Sequence, residues 1–263
     1  MISPTDNFCA QQVREYDPDR YLLSMFAPAD RREGLWALFA FNIEIAKTRE
    51  VVSETQLGLI RLQWWREAIT EMYDSGIALE HGVLQALARA IEVYELPQEH
   101  FEKLIFAREF DLEDVLPENI EGLIKYADFT NTPLMKLAVQ VAGDDPDAEP
   151  VQPVSVNYAL AGIVRSVPHF ARQRRCLLPE DLLKQHEQRL DKLYELKPSE
   201  GLPHVVEAVT GHIVRGMRCE NRFLRKAQKL AEIYAKQVQA VKYDVFSPKM
   251  GREPVLKVLR VMV

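Results

Sequence analysis

Residues 35–46 read LWALFAFNIEIA, a stretch in which apolar side chains return every three or four residues. This is the period of one face of an α-helix, so the stretch predicts a helix. Residues 57–72 repeat the pattern, with the apolar positions Leu57, Ile60, Trp64, Ala68 and Met72. Further helical stretches are predicted at about 80–95, 98–115, 118–142, 154–173 and 203–237, and no strand-like alternation bounded by hairpin turns occurs. The sequence therefore predicts an all-α protein.

Two loop-forming segments interrupt these helices. Residues 143–153 read GDDPDAEPVQP and residues 194–203 read YELKPSEGLP, and both carry the proline and glycine residues that end regular structure. The halves on either side of the first segment show no separate fold class. We therefore expect one domain over residues 1–263, with a short amphipathic tail from about residue 247. The tail ends in VLKVLRVMV, which either lies in a membrane interface or docks on the helical bundle.

The composition is that of a globular protein with a sizeable core, since 47% of the 263 residues are hydrophobic and 27% are charged. The net charge of −6 argues against a nucleic-acid partner, because phosphate binding usually shows as a basic excess. The three cysteines cannot pair fully and lack metal-binding spacing, so we expect reduced thiols. Residues 1–16 match neither a secretory signal nor a transit peptide, and no run of about 18 apolar residues occurs. The default expectation is the cytoplasm.

Two segments carry a family resemblance. Residues 41–54 read FNIEIAKTREVVSE and are followed by Trp-Trp-Arg at 64–66, and residues 157–179 read NYALAGIVRSVPHFARQRRCLLP. Both segments resemble signature regions of the squalene/phytoene synthase family, and the resemblance covers roughly residues 18–235. The resemblance implies a helical bundle of the isoprenoid-synthase type around a central cavity.

Active members of that family carry Asp-x-x-x-Asp on each of two facing helices. Residues four apart share a helix face, so each motif points two carboxylates at magnesium ions that bridge to diphosphate oxygens. In this chain the four positions are Ala46, Glu50, Ser166 and Phe170. Three of the four are not acidic, so we expect no catalytic residues, no metal and no cofactor.

Other acids leave an alternative open. Glu50 and Glu54 are four residues apart, and a cluster follows at 109–114. Such acids either form a solvated helix face or replace the missing aspartates in an active prenyl transferase that uses Mg²⁺ and condenses isoprenyl diphosphates. For Glu50 and Glu54 to act together both must point inward, whereas Glu54 is expected to lie past the end of its helix.

Basic residues occupy the second motif region. A basic helix face can bind an anion directly by charge-assisted hydrogen bonds, whereas the simpler interpretation is a surface helix end. Pro168 is expected to kink or end this helix. Trp64 is expected to pack in the core beside Ile60 and Ala68. The candidate ligand-binding residues are Asn42, Glu50, Tyr158, Arg165, His169, Arg172 and Arg175.

The pattern resembles one catalytically degenerate branch of the family in particular. Its markers are FNIEIA at 41–46, VSE at 52–54, IRLQWWR at 60–66 and YDVF at 243–246. The branch includes the mitochondrial assembly factor for respiratory complex I and its bacterial counterparts. The resemblance implies respiratory-complex subunits or another protein as partner, with a lipid or isoprenoid as ligand. Together with the expected lack of a transit peptide, it implies a bacterial or processed chain, peripheral on the inner face of the membrane or on the matrix side.

Overall fold

The computed structural model describes residues 7–262, and within that range it contains helices and no strand. The all-α prediction is confirmed. One 3-10 turn lies at Ala29–Arg31. The helices are α1 (Phe8–Tyr16), α2 (Pro18–Ser24), α3 (Arg32–Ala46), α4 (Thr48–Val51), α5 (Thr55–Ser75), α6 (Gly82–Tyr94), α7 (Gln98–Asp111), α8 (Ile120–Ala142), α9 (Val151–Arg172), α10 (Glu180–Gln185), α11 (Leu190–Tyr194), α12 (Leu202–Gly211), α13 (Arg222–Ala240) and α14 (Lys257–Met262).

Contacts within the chain group it into two compact units. The first comprises the described residues up to Glu113 together with Phe129–Val151 and Cys219–Leu224. The second comprises Asp114–Asp128, Gln152–Arg218 and the described residues from Arg225 onward. The single domain expected over residues 1–263 stays a prediction.

The first unit is built around α3, which is buried on almost every side. Helices α1 and α6 pack against α3, and α5 packs against α7. The core is aromatic, because Phe41 meets the rings of Trp65 and Phe101 edge-on at centroid distances of 5.6 and 5.5 Å. Helices α5 and α7 approach closely at Gly58, where an added Cβ would lie 2.6 Å from the Leu112 side chain.

Helix α5 buries only part of the predicted face, because Ala68 and Met72 are buried whereas Leu57, Ile60 and Trp64 are exposed. Trp65 is 1% exposed, whereas Trp64 is 40% exposed, so the prediction of Trp64 as a core residue is wrong. The buried positions of α5 include Leu62, Trp65 and Ile69, which form one helical stripe. Because successive residues on a helix point about a hundred degrees apart, that stripe leaves Trp64 outside the core.

The second unit contains most of α9, together with α12 and most of α13. A single helical stretch was predicted over 203–237, but α12 ends at Gly211 and α13 begins at Arg222. The intervening loop is bonded to side chains of the unit instead of continuing the helix. Asn157 donates to the carbonyl of Val214 at 2.8 Å and accepts from its amide at 3.0 Å, and Gln228 donates to the same carbonyl.

Burial determines the acidity of the cysteine thiols. Cys9, Cys176 and Cys219 are buried free thiols. Burial raises the pKa of both Cys9 and Cys176 from 9.0 to about 11. Among residues 7–262, no helix combines the length and the apolar character needed to cross a bilayer.

Candidate functional site

The first motif region is divided between two helices. Ala46 is the last residue of α3, and Glu50 lies on the single turn of α4, where its side chain is exposed. The backbone amide of Glu50 bonds to the carbonyl of Lys47 at 2.9 Å, which closes that short turn. After α4 the backbone becomes extended at Val52, and Glu54 is the residue that precedes α5. As predicted, Glu54 lies past the helix end, so Glu50 and Glu54 do not share a helix face.

Asn42, a candidate ligand, is engaged inside the first unit. Arg108 on α7 donates to the side-chain oxygen of Asn42 at 3.3 Å and to the carboxylate of Asp111 at 3.0 Å. Asn42 and Asp111 are both buried. The three residues form a largely buried polar network, in which Arg108 and Asp111 compensate each other's charge.

Of the two interpretations left open for the acidic cluster at 109–114, the solvated helix face describes only part of it. Asp111 is 7% exposed and pairs with Arg108, because it follows one helical turn behind that arginine. Glu109 is bound by Arg66 at 2.6 Å, and within the second unit Asp114 is bound by Arg175 at 3.2 Å. Three of these carboxylates thus already have a cation as partner.

The second motif region lies on α9. Ser166 and Phe170 are both half-buried there, one helical turn apart. The candidate residues Tyr158, Arg165, His169 and Arg172 follow one another at spacings that place them along one stripe of this helix. The helix does not end at Pro168 but continues to Arg172, so the proline lies inside the helix.

The basic side chains of this region have partners within the second unit. The guanidinium of Arg165 lies 3.5 Å from the ring centroid of Tyr234, a cation–π contact. His169 exchanges a hydrogen bond with Gln173 at 3.1 Å. Arg175 pairs with Asp114 and lies 5.6 Å from the ring of Phe170, whereas Arg172 is exposed at the helix end. Local contacts therefore already engage part of this basic region, and one of its cations, Arg175, is paired with a carboxylate.

The end of α9 is a Schellman motif. The amide of Arg175 bonds to the carbonyl of Phe170 at 2.8 Å, and the amide of Arg174 bonds to the carbonyl of Ala171 at 3.0 Å. Arg174 adopts a left-handed conformation with φ of 55°, at the position where glycine is usual. This turn directs Arg174 to the ring of Tyr194, at 5.4 Å, and Arg175 to Asp114.

The donor atoms present do not fit a magnesium–diphosphate clamp. Magnesium binds oxygen ligands, usually one or two carboxylates besides phosphate and water. The first motif offers one carboxylate, from Glu50, and the second offers only the hydroxyl of Ser166. Among residues 7–262 there is also no group of three or more His, Cys, Asp or Glu side chains placed to hold a metal ion.

An aromatic cluster of the first unit was missed at the sequence level. Phe106 and Phe110 on α7 and Phe129 on α8 meet edge to face, with centroid distances of 5.2 to 6.0 Å. Phe106 is 46% exposed and Phe110 is 49% exposed. The sequence signal that could have indicated this cluster is the four-residue spacing of Phe106 and Phe110. An accessible cluster of rings such as this can bind a hydrocarbon chain.

The all-α fold and the two motif regions, one at α3 and α4 and the other on α9, define a protein of the isoprenoid-synthase class. A solved dehydrosqualene synthase in complex with ligand superposes with a TM-score of 0.78 at 16% identity, covering 97% of this chain and 93% of that chain. The Squalene/phytoene synthase family model matches residues 13–256, and the chain belongs to that family.

Two relatives share similarity along most of the chain. The protein named NADH dehydrogenase (ubiquinone) complex I, assembly factor 6, from Bos taurus is 28% identical over 269 residues, covering 97% of this chain and 80% of the relative. The protein of the same name from Homo sapiens is 26% identical, covering 96% of this chain and 79% of the relative.

Proposed function

We propose that this chain is a non-catalytic member of the family that acts in the assembly of a membrane respiratory complex of the complex I type. The observation that carries the proposal is the loss of acid at Ala46, Ser166 and Phe170, three of the four positions on which metal-assisted departure of pyrophosphate depends. The relatives named as complex I assembly factors support the assembly role, because they align with nearly the whole chain.

In this proposal the protein works through contacts with respiratory-complex subunits and without a resident metal or cofactor. We place it in the cytoplasm at the inner face of the membrane, which corresponds to the matrix side for a mitochondrial counterpart. The alternative of an active prenyl transferase is less well supported. Its substitute acids are divided between α4 and the residue preceding α5, or are already paired with arginines.

Deleting the gene in its native host tests the assembly role. We expect less assembled complex I on native gels and a lower NADH:quinone oxidoreductase activity, both restored by the wild-type gene. Glu50→Gln should restore assembly equally well, because the proposal gives this carboxylate no chemical role. Unchanged complex I in the deletion strain would overturn the proposal, and failure of Glu50→Gln alone would favour the enzyme alternative.

Lipid or isoprenoid binding is a second candidate function, and the Phe106–Phe110–Phe129 cluster favours it. We expect native mass spectrometry of the purified chain to detect a bound lipid that Phe106→Ala with Phe110→Ala removes. Phe8→Ala, at a phenylalanine that is 58% exposed on α1, is the matched control. Arg165→Ala with Arg172→Ala tests separately whether the basic stripe of α9, in the second unit, binds an anionic headgroup. A ligand-free spectrum of the wild type would count against this function.

A further inference from the structure

The C-terminal segment docks on the second unit through one face. Val261 is fully buried, and Lys226 donates to the carbonyl of Met262 at 2.7 Å. Upstream, Gln237 on α13 donates to the carbonyl of Arg252 at 2.9 Å. Lys257 pairs with Glu253 and donates to the hydroxyl of Tyr234. The sequence left open whether this tail lies in a membrane interface or docks on the helical bundle. Its inward face docks on the helices.

The opposite face of the same segment is apolar and exposed. Val258, Leu259 and Met262 lie on one face of the short helix α14, and Val255 lies in the turn that precedes it. Val255 is 78% exposed, and Leu259 and Met262 are each 55% exposed. Packing within the described chain does not account for this stripe, because the inward residues already anchor the segment. A contiguous exposed apolar stripe usually marks a contact with something outside the protein.

Cations lie beside that stripe at Leu259. A surface groove of about 390 Å³ is lined by Leu256 and Leu259 and by a set of charged residues, which are Lys229, Glu232, Lys236 and Arg260. The three cations are exposed, and no ion pair joins them to a carboxylate among residues 7–262. The one acid, Glu232, accepts hydrogen bonds from the amide of Gly216 and the side chain of Gln228. The groove therefore has an excess of positive charge.

We propose that this apolar stripe and its basic rim, which we call the tail surface, bind the protein to an anionic lipid bilayer. Short apolar side chains flanked by lysine and arginine fit the boundary between lipid headgroups and acyl chains. A second copy of the chain is a poorer occupant, because a symmetric contact would bring the cations of both copies together. This inference stands apart from the assembly role, since it concerns the purified chain and lipid alone.

Vesicle co-sedimentation of the full chain tests the proposal. We expect binding to vesicles of phosphatidylcholine mixed with phosphatidylglycerol, little binding to phosphatidylcholine alone, and release by high salt. Lys229→Gln with Lys236→Gln should lower the partition coefficient about fivefold for each lysine removed. The matched control is Lys125→Gln with Lys242→Gln, at exposed lysines elsewhere in the second unit, which should bind like wild type.

The apolar component is tested separately. Val258→Glu with Leu259→Glu should abolish sedimentation, whereas Val93→Glu, at a valine that is 68% exposed on α6, should not. Size-exclusion chromatography and circular dichroism check that each variant is folded. The proposal is overturned if the wild-type protein does not bind anionic vesicles. It is equally overturned if the Lys229→Gln, Lys236→Gln variant and the Val258→Glu, Leu259→Glu variant both sediment like wild type. It is also overturned if wild type forms a dimer that Val258→Glu with Leu259→Glu disrupts and shows no vesicle binding.

Discussion

Arg108 on α7 donates a hydrogen bond to the side-chain oxygen of Asn42 on α3 at 3.3 Å, inside the first unit. The same guanidinium bonds to Asp111, and both of its partners are buried. Asn42, a polar residue within the mostly apolar stretch 35–46, was one of the candidate ligand-binding residues in the sequence. Its partner in the structure is an arginine of the protein itself, so the residue stabilises the packing of α3 on α7.

Removing the carboxylate of this network should be costly. Asp111→Ala leaves the guanidinium of Arg108 buried without its counter-charge, and we expect the free energy of unfolding to fall by about 3 kcal/mol. Urea denaturation followed by circular dichroism measures the loss. The control is Asp191→Asn in the exposed Arg189–Asp191 pair, whose atoms lie 2.7 Å apart, and it should unfold like wild type. Equal effects of the two variants would show that the buried network is not stabilising.

The loop between α12 and α13 should depend on Asn157. The Asn157→Ala variant leaves the backbone amide of Val214 without its 3.0 Å partner, and we expect a loss of about 2 kcal/mol in unfolding free energy. Limited proteolysis should then cut within residues 212–221 faster than in wild type. The Lys236→Ala variant, at an exposed lysine of α13, should leave the cleavage rate unchanged. A wild-type cleavage pattern in the Asn157 variant would contradict this account of the loop.

Arg174 offers a stabilising substitution. It occupies a left-handed position at the end of α9, where a side chain is strained and glycine is not. We expect Arg174→Gly to raise the unfolding free energy by about 1 kcal/mol. Arg174→Ala removes the same contact with Tyr194 but keeps a Cβ, so it should not stabilise. If the alanine variant were as stable as the glycine variant, backbone strain at this residue would not be the cause.

The buried thiols should resist alkylation. Burial raises the pKa of Cys176 from 9.0 to about 11, so at neutral pH its thiolate fraction is about a hundredfold smaller than that of a thiol with a pKa of 9.0. Iodoacetamide labelling mapped by mass spectrometry should therefore modify Cys9 and Cys176 slowly in the folded chain and rapidly in urea. Labelling of either folded thiol at the rate of free glutathione would contradict this prediction.

The helices were predictable from the sequence because their signal is local. Apolar residues at three- and four-residue steps placed α3 and α5 to α9 to within about one helical turn of their observed ends. The break after α12 was not predictable, because it depends on hydrogen bonds from Asn157, a residue distant in sequence. Trp64 shows another limit. Helix α5 carries two apolar stripes, and periodicity alone does not say which one faces the core.

The residue types of the candidate site were predictable from the sequence, but the side chains that these residues contact were not. The identities of Ala46, Glu50, Ser166 and Phe170 are read directly from the aligned motifs. The contact of Arg165 with Tyr234 depends on packing between distant segments, as does the pairing of Arg175 with Asp114. Sequence spacing carries no information about such contacts. For this reason the sequence left the basic stripe of α9 open as an anion site, whereas the protein's own side chains partly occupy it.

Product analysis after incubation with prenyl diphosphates and Mg²⁺ tests the central claim most directly. The purified chain, incubated with farnesyl or geranylgeranyl diphosphate, should release no pyrophosphate and form no hydrocarbon above a protein-free control. The reason is that Glu50 alone supplies a carboxylate at the four family positions. A magnesium-dependent squalene- or phytoene-type product that disappears in the Glu50→Gln variant would contradict the account.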